Sequence, residues 1–304
     1  MKNILVIGGS YFAGKVFVEE LKNYDEYAIY VMNRGNRPLN IEGVNELVCD
    51  RHDALSLEMT VPPLDWHALV DFCAYDPDQI DMLLYNLPGT VNHYILISTT
   101  TIYENSLDIP MMEDAPRLQG ALPGPHGDYG YKKWLTEVKL KEVCEEKGIH
   151  YTSMRPAFIY GKYNYAPRES YFFNLIAANK PIIVPFLPHA LFTMVSVWDV
   201  ANILIASLGN EKVFDNAFNL SASELISYDK LVDTLEKITS KRFNVQRLPI
   251  SKIDADRIPL PFPLAEHLVY SGEKIAKLLD FEYTSFLEGM TKTYNYFFRI
   301  EDGL

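Results

Sequence analysis

Short apolar runs, each closed by glycine or a polar turn, alternate with stretches of helical periodicity through the first half of the chain. Residues 4–7, Ile-Leu-Val-Ile, form a continuous apolar run that ends in Gly8 and Gly9, the pattern of a strand buried on both faces. Val16, Phe17, Val18 and Leu21 follow at helical spacing. Residues 28–32 predict a second strand, ending at Asn33, Arg34 and Gly35. Residues 46–49 predict a brief third strand, ending at Asp50; residues 68–72 predict a fourth and 94–98 a fifth. A helix is predicted around residues 129–146, then a sixth strand at 151–155. Strands alternating with helices in this way predict an α/β protein built on a doubly wound parallel sheet.

After Gly161 the pattern changes. Residues 162–192 are rich in Tyr, Phe and Pro, with Pro181, Pro185 and Pro188 among them. Residues 195–208 read as a short strand and a helix, 227–241 as an amphipathic helix, and 251–270 as a stretch broken by prolines. Residues 195–220 look like a return to the sheet. The expected organisation is a nucleotide-binding domain over residues 1–161. Residues 162–304 would mainly form a smaller C-terminal substrate-binding lobe.

Composition narrows the function classes. The 304 residues carry 48% hydrophobic and 22% charged side chains, ordinary for a globular protein. A net charge of -12 gives no global electrostatic footprint for nucleic acid. No run approaches the ~18 apolar residues of a membrane span, and the first strand begins at once, which argues against a signal peptide. Cys49, Cys73 and Cys144 share no metal or disulfide spacing. The expectation is a cytoplasmic protein with reduced thiols, a small-molecule partner and no metal.

Two clusters carry the candidate chemistry. Gly8, Gly9, Ser10, Tyr11, Phe12, Ala13 and Gly14 join the first strand to the first helix. Glycines there let backbone N–H groups and the helix N-terminus meet a pyrophosphate, which makes the fold Rossmann-like. Tyr11 takes the middle glycine's place; the expectation is that it turns away from the pyrophosphate and lies beside the adenosine. The second strand ends in Asn33 and Arg34 rather than in the carboxylate that binds an NAD ribose. This favours NADP over NAD, because a guanidinium can pair with the 2′-phosphate. The bland alternative is that Arg34 and Arg37 are solvated loop charges. Asp50 is placed for the adenine amino group or, equally, as a turn residue or helix cap. The second cluster is Tyr129 and Lys133, four apart and so on one helix face. A fixed ammonium beside a phenol would lower its pKa and make a proton carrier.

Together these residues resemble the extended or atypical short-chain dehydrogenase/reductases, the NAD-dependent epimerase/dehydratase family. Tyr129-Gly130-Tyr131-Lys132-Lys133-Trp134-Leu135-Thr136-Glu137 is similar to that family's Y-G-x-x-K-x-x-x-E helix. Residues 97–103 are similar to its S-S/T-x-x-V-Y strand end, and 155–161 to its R-P-x-x-V-Y-G segment. Residues 195–201 are similar to its V-x-V-x-D-V-A segment, and Phe218-Asn219-Leu220 to its Y-N-V/L strand. The resemblance implies that Tyr129 is the general acid/base, that Lys133 lowers its pKa and holds the nicotinamide ribose, and that Thr99 orients the reacting oxygen. Ser98 is the alternative to Thr99 if the register is one off. It also implies that Arg51, Cys73, Ala74, Tyr75, Ser98 and Pro156 surround the cofactor. Thr100 and Thr101 read as strand filler. The family's 4,6-dehydratases carry T-D-E where this chain has Thr99-Thr100-Thr101, which argues against water elimination. Residues 71–77, with Asn33-Arg34-Gly35 and residues 50–53, look more like an atypical branch that includes chloroplast stem-loop RNA-binding proteins.

The implied function is an NAD(P)-dependent oxidoreductase or epimerase acting on a hydroxyl or carbonyl carbon, with a nucleotide-activated sugar as substrate by analogy. The alternative is a cofactor-binding regulator or RNA-binding protein on the same scaffold. His126 reads as a loop residue, and Glu113 with Asp114 as a solvated turn. Asp199 reads as a helix cap, and Tyr163, Tyr165, Arg168 and Tyr171 as a patch in the second lobe. A homodimer is expected through the helix that carries Trp134, Leu135, Val138 and Leu140.

Overall fold

A computed structural model describes residues 1–124, 127–187 and 190–300. Its elements in chain order are β1 (Lys2–Ile7), α1 (Phe12–Leu21), β2 (Tyr27–Asn33), β3 (Asn45–Val48), α2 (Ala54–Thr60), β4 (Leu64–Asp71), α3 (Asp78–Asn86), β5 (Gly89–Val91) and β6 (His93–Ile97). Then come α4 (Tyr129–Lys147), β7 (His150–Pro156), β8 (Phe158–Tyr160), α5 (Glu169–Ala177), β9 (Ile182–Phe186), β10 (Met194–Ser196), α6 (Val197–Ser207) and β11 (Asn216–Leu220). The chain ends with α7 (Tyr228–Thr239), β12 (Val245–Pro249), α8 (Ile250–Ala255), α9 (Glu273–Leu279) and α10 (Phe286–Phe298).

Seven parallel strands form the main sheet in the order β11-β7-β6-β4-β1-β2-β3, and short β5 pairs with the start of β4 ahead of β6. Alternate residues of β1 serve opposite faces, as the period of a strand requires. Ile4 and Val6 join a core with Val16, Phe17 and Leu21 of α1 and with Val200, Ile203 and Leu204 of α6. Leu5 and Ile7 join a second core with Leu57 of α2, Ile80 and Leu83 of α3, and Leu140 and Val143 of α4. The sheet is therefore doubly wound. Strand order reverses between β1 and β4, which leaves a crevice at their C-terminal ends.

The chain returns to this sheet after the second lobe has begun. β10 pairs in parallel with β8, α6 packs on α1, and β11 then extends the main sheet beside β7. The remaining C-terminal elements enclose a core of their own, dominated by aromatics such as Phe172, Phe192, Tyr228 and Phe262. The rings of Phe192 and Phe262 stack at 4.7 Å, a geometry worth more than burial alone.

Asp199 does not cap α6. The cap is Ser196, whose Oγ accepts from the Asp199 N–H at 3.0 Å. Asp199 lies in the first turn, and its carboxylate accepts from both the N–H (3.1 Å) and the Oγ1 (2.6 Å) of Thr284, tying α6 to the segment before α10.

Candidate active site

The crevice is a cleft of about 460 Å³ walled by the glycine loop, the ends of β4, β6 and β7, the start of α4, and residues beyond β8. The loop fits a closely held phosphate group. Gly8 has φ +83°, and a Cβ there would overlap the Cys73 thiol; a Cβ on Gly14 would strike the Gly8 carbonyl. Gly9 sits against Val6, Val18 and Val31, so it serves strand–helix packing. Ser10 is half-buried beside it. Tyr11 is extended, with φ -146° and ψ 143°. Its ring stacks on Tyr165 at 4.9 Å, and the Arg37 guanidinium lies 4.0 Å over it. Arg37 is thus an exposed loop charge, as the plain reading had it, that also lies over the Tyr11 ring. Phe12 follows at φ +39°, a sparsely populated conformation for a bulky residue.

The Thr99–Tyr129–Lys133 cluster is built from two directions. β6 delivers Thr99, whose Oγ1 accepts from the Thr101 N–H at 3.1 Å and meets Thr101 Oγ1 at 3.0 Å. The start of α4 delivers Tyr129 to the same cleft, where the Thr99 hydroxyl helps to lower the phenol's pKa. Lys133 lies one turn on and is buried. Its Nζ donates to the carbonyls of Ala74 (2.7 Å) and Ile97 (2.6 Å) and sits 4.8 Å from the Tyr75 ring centre. Burial pushes the Lys133 pKa down to about 8, against the raising charge of Asp71. Burial also raises the Tyr129 pKa, and the Thr99 hydroxyl and the Arg168 charge pull it back. The expected lowering by Lys133 is not seen: the cation that lowers the phenol's pKa is Arg168, while the Lys133 ammonium donates to two carbonyls.

One buried network fixes this arrangement. Glu137, one turn beyond Lys133 on α4, takes three hydrogen bonds from Arg155 of β7 at 2.7–3.2 Å. Arg155 Nη1 donates to the Tyr103 hydroxyl (2.9 Å), which donates to Asn219 Oδ1 (2.7 Å) on β11. Glu113 joins it: its carboxylate accepts from the Asn219 N–H at 2.9 Å and its carbonyl from Arg155. Glu113 is therefore part of the frame and not of a solvated turn. All but Glu113 lie in the family-like segments, so the motif was visible while its structural purpose was not.

The structure brings Gly8, Tyr11, Phe12, Gly14, Cys73, Tyr75, Ser98, Thr99, Tyr129, Lys133 and Pro156 to one cleft. Ala74 contributes its carbonyl to Lys133. The Ser98 Oγ is buried without a hydrogen-bond partner, as a group awaiting a ligand would be. Burial pushes the Cys73 thiol up to about 11, so it is not a thiolate. Asn33, Arg34, Asp50 and Arg51 do not line the cleft. Asn33 closes the turn to the Gly35 N–H (2.7 Å) and donates to Glu46 (2.7 Å). Asp50 accepts from the His52 N–H at 3.0 Å. Arg34 is exposed, with its charge felt at Cys73. Arg51 is a correction: its buried guanidinium pairs with Asp71 at 2.8 and 2.9 Å and donates to the Gln79 carbonyl. Asp71 in turn accepts from the Cys73 N–H (2.8 Å) and from Tyr94, which shapes the cleft wall. Sequence reasoning missed Phe158, Ile159, Leu268 and Tyr270, which also face the cleft. Of the expected dimer residues, Leu140 is consumed by the core, Trp134 and Leu135 are half-buried, and Val138 is exposed. His126 lies outside the described residues, and no metal-binding group of His, Cys, Asp or Glu occurs among those described.

A glycine cradle beside a Tyr–Thr pair and a buried lysine is the arrangement the sequence motifs implied. Residues 80–220 match the NAD dependent epimerase/dehydratase family. That resemblance, drawn from the motifs, is borne out. The family is one of nicotinamide-dependent enzymes. The fold agrees: UDP-glucose 4-epimerase of Thermotoga maritima, solved with UDP-glucose, superposes with a TM-score of 0.77 at 19% identity, covering 99% of this chain and 100% of that one. The dTDP-glucose 4,6-dehydratase of Bacillus anthracis, solved with NAD, gives 0.76 at 16% identity over 99% and 98%. In sequence, the chloroplast stem-loop binding protein of 41 kDa b from Arabidopsis thaliana is 25% identical over 317 residues, 97% of this chain and 79% of that protein. No helix among the described residues is long and apolar enough to cross a membrane.

Proposed function

We propose that this chain is an NAD(P)-dependent epimerase or reductase acting on a hydroxyl or carbonyl carbon of a nucleotide-activated sugar. The observation that carries the reading is the gathering of Tyr129, Thr99 and Lys133 in one cleft that the glycine loop also lines. The backbone of residues 8–14 and the N-terminus of α1 would hold the pyrophosphate, and Lys133 the nicotinamide ribose. When bound, the nicotinamide supplies a hydride acceptor and donor. Thr99 Oγ1 orients the substrate oxygen, and the Tyr129 hydroxyl moves its proton. Because its pKa is raised, Tyr129 holds its proton at neutral pH and is ready to donate it to a carbonyl oxygen. In the opposite direction the phenolate must form first, which the Thr99 hydroxyl and the Arg168 charge favour. Sugar nucleotides enter by likeness to the neighbouring epimerases, and the second lobe would bind them.

The strand end supports epimerisation or reduction over 4,6-dehydration. Thr100, where the dehydratases place a carboxylate, is buried against the Pro156 carbonyl (3.4 Å) and Tyr270. Arg34 supports NADP over NAD; Glu46, held behind Asn33, opposes it in part. The proposal includes a homodimer through the exposed side of α4 and a cytoplasmic location, which three unpaired cysteines suit. The test is turnover by the purified protein, stripped of nucleotide and supplied with NAD(P) and a panel of UDP- and dTDP-sugars. Tyr129→Phe should lose about 100-fold or more, and wild-type turnover by that variant would sink the reading.

The Arabidopsis relative favours a second reading, RNA binding on this scaffold. The net charge of -12 opposes it. Filter binding of a stem-loop RNA at low and high salt separates the two, since true RNA affinity falls steeply with salt.

A further inference from the structure

We propose that Arg168 is an oxyanion receptor in the substrate half of the cleft, so that the substrate carries a carboxylate or phosphoryl group close to its reacting carbon. Resting on the function proposed above, the inference narrows the substrate class. Among the described residues, two charged side chains line the cleft, Lys133 and Arg168. Lys133 is turned to two carbonyls. Among the described residues that leaves Arg168 to meet a ligand's charge, with Phe158 and Ile159 as contacts in the cleft.

The guanidinium is held in place without being neutralised. Nη1 donates to the Ile159 carbonyl at 3.1 Å, and the group lies 5.2 Å from the Phe158 ring centre. Among the described residues no carboxylate comes within ion-pair distance of it. The adjacent Glu169 turns its buried carboxylate to the Gly161 N–H (2.9 Å) and to Asn164 Nδ2 (3.0 and 3.1 Å). The contrast within the same molecule is direct: Arg51 is paired with Asp71 and Arg155 with Glu137. A half-buried guanidinium facing an apolar wall without a counter-ion is costly to keep, and burial pushes its pKa down. An oxyanion supplies the missing partner through two parallel N–H bonds. The groups facing Arg168 are Glu169, Tyr165 and Tyr129. Its charge reaches Tyr129, so the anion it holds shares the chamber of the acid/base pair.

The experiment is calorimetric titration of the stripped protein with inorganic phosphate and, separately, malonate, for wild type, Arg168→Gln and Arg168→Lys. Saturable binding of at least one anion is expected, weakened roughly tenfold or more in Arg168→Gln and partly kept in Arg168→Lys. Phosphate alone would identify a phosphoryl group, and malonate alone a carboxylate. If wild type binds neither, or folded Arg168→Gln binds both as wild type does, the proposal is overturned; anion held equally by that variant belongs to the glycine loop. NAD(P)(H) affinity is measured in parallel and should not differ between wild type and Arg168→Gln. Failure of the wild type to bind any nicotinamide cofactor defeats the oxidoreductase reading while leaving the anion result readable.

Discussion

Glu137 and Arg155 form a buried bidentate pair, each side chain no more than 5% exposed, that locks the helix carrying Tyr129 and Lys133 to the strand beside Thr99. A buried pair need not add stability, but removing one member strands the other's charge. Glu137→Ala should therefore cost about 3–5 kcal/mol in urea unfolding. Glu137→Gln, which keeps the acceptor oxygen, should cost less.

The Thr99 hydroxyl holds the Tyr129 pKa down against burial. Thr99→Val should push it further above 10.0, the value of a free phenol. Ultraviolet titration, taken as the difference from the matching Tyr129→Phe protein, reads this directly. A midpoint that stays put would show that the hydroxyl does not act on the phenol.

Lys133 has a folded pKa of about 8 against 10.5 unfolded. Between those values the unfolded chain holds the extra proton, so stability gains with rising pH. Relative to Lys133→Met, the wild type should gain about 3 kcal/mol from pH 8 to 10.5, with the full cost of the buried charge present below pH 8. Urea unfolding of both proteins at pH 7 and 10 tests the sign.

His93 works at the opposite end of the sheet and in the opposite pH range. Its Nδ1 accepts from the Gly209 N–H (3.3 Å), which leaves Nε2 to donate to Thr152 Oγ1 (2.8 Å). Burial, helped by His150, holds the ring neutral down to about pH 3 against 6.5 unfolded. Its contribution is full above pH 6.5 and is lost progressively as pH falls toward 3. Acid unfolding of His93→Asn should show a shallower loss than wild type across that window, by up to about 5 kcal/mol.

Arg34 is the residue on which cofactor choice is expected to turn. Arg34→Ala should weaken NADP binding by about 1.5–3 kcal/mol, the scale of a charged hydrogen bond, and leave NAD unchanged. Calorimetry with both nucleotides decides it; equal losses for both would remove Arg34 as a reader of the 2′-phosphate.

The sheet was legible because its strands are short apolar runs closed by glycine or polar turns: residues 4–7 became part of β1 and residues 28–32 part of β2. The i, i+4 spacing of Tyr129 and Lys133 was legible for the same reason, since helical periodicity is local. Long-range pairings were not. Nothing near Arg51 in sequence announces Asp71, 20 residues on, and nothing near Asp199 announces Thr284. Short helices such as α2 and α9, seven residues each, present too few turns for a periodic signal. β12 went unseen because it forms only by pairing with β9, some 60 residues earlier. Tyr11 was singled out as an intruder among glycines, yet its ring partners, Tyr165 and Arg37, come from two separate loops.

The frame around Glu137 and Arg155 also divides the labour of the chain. Tyr103, Glu113, Glu137, Arg155 and Asn219 all fall within residues 80–220, the stretch that matches the family. Tyr11, Asn33, Arg34 and Asp50, the residues that would choose the nucleotide, all precede it. Under the proposed function, proton transfer and nucleotide preference would thus be written on separate lengths of polypeptide. On that reading, either could drift, or be re-engineered, without rewriting the other.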